Sequence, residues 1–316
     1  MLDCARYADE AGFSAVWTPE RHMHRFGGNY PNPAVLGAAI ATATSRIGIR
    51  AGSVVMPLHH PIRVAEEWSV VDNLSDGRAG VSFASGWRRD DFVLSRTGFD
   101  DRREATQRGM AEVRALWRGE KVPYEWEDRV TEVQLLPRPV QPELPVWVTT
   151  GGTEETAAAA GRAGANLLTH LLGQDFRELE SLVKAYRATC RDGGSVALML
   201  HTYLGGDDGD TRQAAVPHLT RYLMQAADMH GRASFGPDLD LGQVTDEEWQ
   251  AFLAPSVRRY LSGASLVGDV QRAAEVVARA EEAGVDEIAC LIDFIDDADM
   301  VRAGLEYISR LRSVTG

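Results

Sequence analysis

The chain has few cysteines and no pattern among them that builds a covalent or metal-bound scaffold. Its 316 residues include three cysteines, Cys4, Cys190 and Cys290, which lie far apart and form no Cys-x-x-Cys pair. This spacing excludes a zinc ribbon and a disulfide framework, and it is typical of proteins kept in a reducing compartment. The cysteines therefore predict a cytoplasmic protein.

The chain also lacks an excess of basic residues and any long hydrophobic run. It carries 46 acidic against 33 basic side chains, a formal net charge of -13. Such a charge repels nucleic acids and anionic membranes. No apolar stretch approaches the roughly 18 residues that cross a bilayer, and no basic segment leads into an apolar one. We therefore expect a small-molecule substrate and neither a nucleic-acid nor a membrane partner.

What the chain does have is a regular alternation of apolar, β-rich runs with amphipathic or alanine-rich helical segments. This alternation predicts a parallel sheet with right-handed crossovers. Because it continues to the end of the chain, we predict an α/β fold, a (β/α)8 TIM barrel, as one domain over residues 1–316. The predicted strands are Phe13–Thr18, Ile47–Val55, Ala79–Ala84, Val146–Thr150, Asn166–Thr169, Val196–Tyr203 and Asp286–Asp293.

The count of seven strands leaves the barrel one strand short. The chain opens directly in a predicted helix, Leu2–Ala11, so a closed barrel needs its first strand before Met1, and we expect the native start to lie upstream. A seven-stranded or rearranged barrel is the alternative. The long segment Gly205–Leu266, after the seventh barrel strand, is predicted to be an insertion that serves as a lid, since extra material after barrel strands lies over the active-site mouth.

Three histidines follow predicted strands: His22, His170 and His201. In a barrel, polar residues at the carboxyl ends of strands face the active site. A single histidine in such a place is more often structural, but three at equivalent ends make a catalytic role an equal alternative for each. The carboxylate pattern of a metal site does not accompany them, so we predict no metal.

Three glycine-containing segments are candidate ligand contacts. Thr149-Thr-Gly-Gly-Thr-Glu-Glu-Thr156 joins a strand to a helix, where small residues and free N–H groups suit a phosphate, although a plain helix cap explains it equally well. Ser85-Gly-Trp87 makes a tight turn with an aromatic ring beside it. Gly52-Ser53 lies inside a strand, which indicates either a bulge or a close backbone approach.

Taken together, these pieces resemble the bacterial luciferase-like flavin-dependent monooxygenases, and most closely the branch associated with peptide-synthetase and polyketide gene clusters. The resemblance runs from Met1 to about Tyr203 and resumes over Leu266–Phe294. Its motifs include Ala15-Val-Trp-Thr-Pro-Glu-Arg-His22, Arg50-Ala-Gly-Ser-Val-Val-Met-Pro57, Pro61-Ile-Arg-Val-Ala-Glu-Glu-Trp68, Asp72-Asn-Leu-Ser-Asp-Gly-Arg78, Ser82-Phe-Ala-Ser-Gly-Trp87 and Leu168-Thr-His-Leu-Leu-Gly-Gln174.

The resemblance implies reduced flavin mononucleotide (FMNH2) as cofactor, with oxygen adding at its C4a position and the resulting peroxyflavin oxidising a substrate. It implies a phosphate cradle and flavin contacts at Gly52, Ser53, Ser85, Gly86, Trp87, Gly151, Gly152, Thr153 and Thr156, with a cis peptide bond between Gly52 and Ser53. A deazaflavin (F420)-dependent oxidoreductase of the same fold is the first alternative. A non-catalytic flavin-binding protein is the second.

One position departs from the luciferases, in which two adjacent histidines follow the glutamate and the first is catalytic. Here the sequence is Glu20-Arg21-His22. Light emission is therefore not expected; His22 becomes the candidate acid or donor, and Arg21 a candidate holder of an anionic group.

The same resemblance implies three partners: a separate flavin reductase, a substrate that is a secondary-metabolite intermediate free or bound to a carrier protein, and a second copy of the chain in a homodimer. The oxygenation is C- or N-hydroxylation, epoxidation or Baeyer–Villiger insertion.

Overall fold

A computed structural model describes residues 1–24, 28, 30–191, 193–230 and 263–315, together with 251, 254, 255, 257, 258, 260 and 261; the side chains of 226–230 are outside this description. The chain divides into two compact units. Unit 1 comprises residues 1–23 and 30–149, and unit 2 comprises residues 24–29 and 150–316. That residues 1–316 form one domain remains a prediction.

Unit 1 is a parallel sheet with helical crossovers. Its strands run in the order β1-β2-β3-β6, and each neighbouring pair is parallel. A separate antiparallel hairpin, β4-β5, lies in the proline-rich stretch before β6. The elements are α1 (Leu2–Glu10), β1 (Ala15–Thr18), α2 (Pro33–Ala43), β2 (Gly48–Val55), α3 (Pro61–Ser75), β3 (Ala79–Ala84), α4 (Arg102–Arg118), β4 (Val122–Trp126), β5 (Arg129–Val133) and β6 (Val146–Thr149).

Local sequence explains where these helices begin and end. Asn32 caps α2, because its side chain accepts the N–H groups of Ala34 and Val35, and Pro33 occupies the first helical position. Helix α4 ends at Gly119, whose φ of 86° lies in the left-handed region that favours glycine. These local signals set where α2 begins and where α4 ends.

Unit 2 continues the alternation. Strands β7, β8 and β10 form a parallel sheet in that order, and the short β9 pairs with the last three residues of β8. The elements are α5 (Glu154–Arg162), β7 (Asn166–His170), α6 (Phe176–Arg187), β8 (Val196–Leu204), α7 (Asp208–His230), β9 (Leu266–Gly268), α8 (Val270–Glu282), β10 (Glu287–Leu291) and α9 (Ala298–Thr315). All seven predicted strands are confirmed.

The predicted insertion, Gly205–Leu266, is described only in part. Helix α7 occupies its first portion and β9 begins at its last residue. Residues 231–250 and part of 251–262 lie outside the described residues, so its role as a lid stays a prediction. Among the helices that the structure describes, none is long and apolar enough to cross a membrane.

Candidate active site

In unit 1, the strand ends carry a chain of hydroxyl groups beside the predicted Gly52–Ser53 pair. The Gly52–Ser53 peptide bond is cis, as the resemblance predicts. The Ser53 hydroxyl lies 2.5 Å from the Thr149 hydroxyl, which lies 2.7 Å from that of Ser82. Three strands, β2, β6 and β3, therefore contribute one hydrogen-bonded row.

An aromatic and cationic layer packs beneath Gly52. A Cβ atom on Gly52 would lie 3.1 Å from Trp17 Cε3, so the glycine allows that ring to approach the backbone. Arg50 Cζ lies 5.0 Å from the Trp17 ring centroid and 4.5 Å from that of Trp147, within cation–π range of both. This layer was not predicted from the sequence, although Arg50 inside an otherwise apolar strand was a signal for it.

The structure brings His22 together with two residues that the sequence analysis did not select, Glu20 and His59. Both histidines place Nε2 2.7 Å from the same oxygen, Glu20 Oε1. The other carboxylate oxygen accepts the Val55 N–H at 2.8 Å, and the Glu20 side chain is wholly buried. Glu20 therefore orients two imidazoles at the carboxyl ends of β1 and β2.

This cluster offers three atoms of the kind that bind metals, and they lie within 4.8 Å of one another. Two ligand atoms bound tetrahedrally to one zinc ion, each at about 2.0–2.1 Å, lie about 3.4 Å apart. The 2.7 Å separations are instead those of charge-assisted N–H···O hydrogen bonds. The arrangement fits a hydrogen-bonded cluster better than a metal centre.

Burial and hydrogen bonding act in opposite directions on the charges of this cluster. Burial raises the pKa of Glu20, but the hydrogen bonds from His22 and His59 outweigh it and hold that pKa below its ordinary value. Burial lowers the pKa of His59, yet the hydrogen bond and charge of Glu20 raise it above its ordinary value. The cluster thus favours an ionised Glu20 beside a protonated His59.

The predicted turn after β3 packs against the same region of unit 1. Gly86 has a φ of 80°, and a Cβ atom there would lie 2.9 Å from Val55 Cγ1. Trp87 is 49% exposed, so its ring is accessible to a ligand. Arg88 donates from Nη1 to the backbone oxygen of His22 at 3.2 Å, which ties the turn to the histidine segment. Ser85 is half-buried within this turn.

Arg21 lies between Glu20 and His22 in the sequence. Its backbone N–H donates to the Tyr30 carbonyl at 2.9 Å, and its side chain is half-buried. The role assigned to its guanidinium stays a prediction.

In unit 2, the predicted phosphate cradle surrounds the start of α5. Among the described residues, no side chain caps this helix; the Thr153 hydroxyl donates instead to the Thr156 hydroxyl at 2.7 Å. Thr150 Oγ1 accepts the N–H groups of Gly152 and Thr153 at 3.3 and 3.2 Å, which shapes the turn. The plain helix cap that the sequence allowed is therefore not what the structure shows.

Two side chains flank this turn. Gly152 has a φ of 115°, and a Cβ atom there would lie 2.6 Å from Gln174 Cδ, so only glycine fits. His170 Nε2 would lie 3.8 Å from a Cβ atom on Gly151. Burial lowers the pKa of His170, an effect only partly offset by the Leu172 backbone, so the neutral imidazole is favoured beside the turn.

His201 lies in a different environment within unit 2. Its side chain packs edge-to-face against Tyr222, Tyr260 and Phe294, and its Nδ1 lies 2.8 Å from the Tyr260 hydroxyl. The residue is only 2% exposed. These contacts are typical of a core histidine, and its predicted catalytic role is untested.

Comparison with known proteins identifies the family and the fold. The luciferase-like monooxygenase family model matches residues 1–287. Over 97% of its length the chain is 26% identical to the oxygenase component of the flavin-dependent trigonelline monooxygenase of Acinetobacter baylyi, of which it covers 86%.

Two solved structures share the fold. One is the oxygenating constituent of 3,6-diketocamphane monooxygenase from Pseudomonas putida, a type II Baeyer–Villiger enzyme in complex with FMN. It is 18% identical with a TM-score of 0.74, over 98% of this chain and 90% of that chain. The other is an F420-dependent secondary alcohol dehydrogenase with an F420–acetone adduct, 18% identical with a TM-score of 0.75, over 100% and 94% of the two chains.

The family match and these likenesses confirm the predicted TIM-barrel fold class. The chain belongs to the luciferase-like monooxygenase family and is an oxidoreductase.

Proposed function

We propose that this chain is the oxygenase of a two-component monooxygenase that uses reduced FMN and O2. The observation that carries the proposal is the uncapped start of α5 behind the Gly151–Gly152 turn. Helix N-terminal N–H groups and the helix dipole attract a phosphate, and small residues let it approach the backbone. An FMN phosphate fits there, with Thr153 and Thr156 supplying hydroxyl groups.

Unit 1 carries the other residues that the family resemblance assigns to flavin contacts. Gly52 and Ser53 form the cis peptide of β2, and the hydroxyls of Ser53, Ser82 and Thr149 offer donors and acceptors beside it. Ser85, Gly86 and Trp87 would flank the cofactor. Bound reduced FMN supplies the activation of O2, and the protein must bind it, exclude water and control one proton. We assign the control of this proton to His22, and Arg21, His170 and His201 are the further candidate catalytic residues.

The likeness to an oxygenase component supports a separate flavin reductase as partner. For the substrate we propose a secondary-metabolite intermediate, free or bound to a carrier protein, that undergoes C- or N-hydroxylation, epoxidation or Baeyer–Villiger insertion. We further propose a cytoplasmic homodimer formed through α2 and α3, which expose the apolar side chains Val35, Val70 and Leu74. Sedimentation of wild-type protein and of Val70→Glu tests the dimer.

The phosphate site is tested by anaerobic titration with reduced FMN and with reduced riboflavin, which lacks the phosphate. We expect Thr156→Val to weaken FMN binding about tenfold, the value of roughly one charge-assisted hydrogen bond, and to leave riboflavin binding unchanged. Thr42→Val, an exposed threonine near the end of α2, is the matched control. Equal loss for both ligands would contradict a phosphate at α5.

Rapid mixing of the reduced complex with oxygen tests the reaction class. A transient flavin absorbance that precedes oxidised flavin supports the monooxygenase. Binding and reduction of F420 in place of FMN would favour the deazaflavin oxidoreductase. Tight FMN binding with neither a transient nor any product would favour the non-catalytic flavin-binding protein.

A further inference from the structure

Glu20 accepts three hydrogen bonds, from His22, His59 and the Val55 backbone, which is more than the orientation of one catalytic histidine requires. An ionised carboxylate only accepts hydrogen bonds. Because both imidazoles contact Glu20 Oε1 at 2.7 Å, each presents its Nε2–H to that oxygen. The Val55 N–H occupies the other oxygen and prevents the carboxylate from rotating. Either histidine can then gain or lose a proton only at Nδ1.

The charge of the cluster limits how many protons it takes up. One buried carboxylate balances one imidazolium. The ligand atoms of the three residues lie within 4.8 Å of one another, so a second imidazolium on the same oxygen would place two positive charges close together, where they repel. The two histidines therefore compete for a single proton.

The other two acidic groups that act on His22 and His59 each form an ion pair with an arginine. Glu67, on α3, acts on His59 but lies 3.1 Å from Arg63. Asp91, in the turn after β3, acts on His22 but lies 2.8 Å from Arg88. Glu20 is thus the main anion that the two imidazoles share.

We propose that Glu20, His22 and His59 form a one-proton unit in which His59 holds the proton at neutral pH and keeps His22 free to accept one. The proposal rests on the proposed function and changes one role in it: His22 accepts a proton in that reaction, instead of acting first as the acid or donor that the family resemblance implies. Asymmetry in the cluster supports it: the His59 side chain is 23% exposed and that of His22 is 12% exposed. The favourable interaction of His59 with Glu20 and Glu67 raises its pKa.

The proton balance of the unit is simple. When His22 takes a proton at Nδ1 from a reacting O–H or N–H group, His59 releases its Nδ1 proton to water. Glu20 stays ionised, both Nε2–H bonds remain, and the net charge of the unit does not change. His59 regains a proton from water after His22 has returned its own. His59 is accordingly a positioning residue, which acts on the reaction through Glu20.

The test is a histidine NMR titration of the protein without flavin, so it stands whether or not the protein is a monooxygenase. We expect both imidazoles in the Nε2–H form and His59 titrating above pH 6.5. In His22→Ala, His59 no longer shares Glu20, and its midpoint should rise by about half a pH unit or more. His60→Asn, which changes the adjacent exposed histidine and keeps a capping side chain for α3, should leave the His59 midpoint unchanged.

Three results would overturn the proposal: an unchanged His59 midpoint in His22→Ala, an Nδ1–H form of either imidazole, or equimolar Zn²⁺ displacing both Nε2–H signals, which would indicate a metal site. Activity provides a second readout. The yield of product per flavin oxidised should depend on pH through His59, and His59→Gln should remove that dependence. Wild-type tautomers and His22→Ala decide the question even if His59→Gln does not fold.

Discussion

Among the buried carboxylates of unit 1, Asp9 and Glu20 lie at opposite ends of β1 and β2, and their hydrogen-bond donors differ in kind. Asp9, at the end of α1, accepts the backbone N–H groups of Ser45, Arg46 and Ile47 at 3.0, 2.8 and 2.7 Å, just before β2 begins. Glu20 accepts one backbone N–H and two imidazoles where β1 and β2 end.

Backbone donors never titrate, whereas imidazole donors do. Burial opposes ionisation of Asp9, but the hydrogen bonds from Ser45, Ile47 and Arg46 lower its pKa to about 2, so it stays charged and fixed at any physiological pH. In the Glu20 cluster, the hydrogen bond and charge of Glu20 raise the pKa of one of these imidazoles, that of His59. In barrels, the amino ends of strands serve stability and the carboxyl ends serve chemistry. Our proposal for the Glu20 cluster agrees with this division, since Asp9 lies at the amino ends and Glu20 at the carboxyl ends.

The largest expected effect is the loss of stability in Asp9→Ala. Removing the carboxylate leaves several N–H groups near the start of β2 without a partner, at a cost of about 3–5 kcal/mol. The free energy of unfolding in urea measures it. Asp3→Ala, on the same helix in an exposed ion pair with Arg6, should change stability by less than about 0.5 kcal/mol. A comparable cost for both variants would contradict the structural role of Asp9.

Glu20→Gln should reduce activity more than stability, the reverse of what we expect for Asp9→Ala. Glutamine has one acceptor oxygen and one NH2 donor, so it cannot accept hydrogen bonds on both sides as Glu20 does from Val55 and the two histidines. The imidazoles therefore lose their fixed orientation. We expect product per flavin oxidised to fall about tenfold, while the free energy of unfolding falls less than in Asp9→Ala. Comparing the yield at equal amounts of folded protein separates the two effects. If Glu20→Gln unfolds the chain and leaves the yield unchanged, the two carboxylates do not differ in role.

The contrast also shows what the sequence could and could not predict. The seven strands were predictable because each is an apolar run bounded by turn residues. His22 was predictable because it follows such a run. The pairing of Glu20 with His59 was not, since the two residues are 39 positions apart and meet only through the register of β1 and β2. The adjacent His59-His60-Pro61 was the available signal.

The sequence identified the start of α5 as a candidate phosphate site, but it could not decide between that site and a capped helix. Its sequence fits a phosphate cradle and a capped helix equally well, because the choice depends on the rotamers of Thr153 and Thr156. By contrast, the neighbouring α6 has a full capping box in which Asp175 and Glu178 satisfy each other's backbone N–H groups. The side chains of Asp175 and Glu178 thus cap α6, whereas the Thr153 side chain makes no such cap for α5, and this difference supports the proposed phosphate site.

The smallest expected effect is a pH dependence of stability, and it distinguishes the two carboxylates by direction. The folded pKa of Asp9 lies below its ordinary 3.8, so its contribution is complete above about pH 4 and is lost as the pH falls through about 2. The folded pKa of His59 lies above its ordinary 6.5, so its contribution is complete below that pH and is lost as the pH rises through the folded value.

Urea unfolding of wild type, Asp9→Asn and His59→Gln across pH 2–9 measures these contributions. The difference between wild type and Asp9→Asn should shrink only on the acid side. Between pH 5.5 and 9, where Glu20 stays ionised, the difference between wild type and His59→Gln should shrink as the pH rises. A flat difference over that range would mean that Glu20 does not favour protonated His59, and that the cluster, like Asp9, is a fixed structural contact.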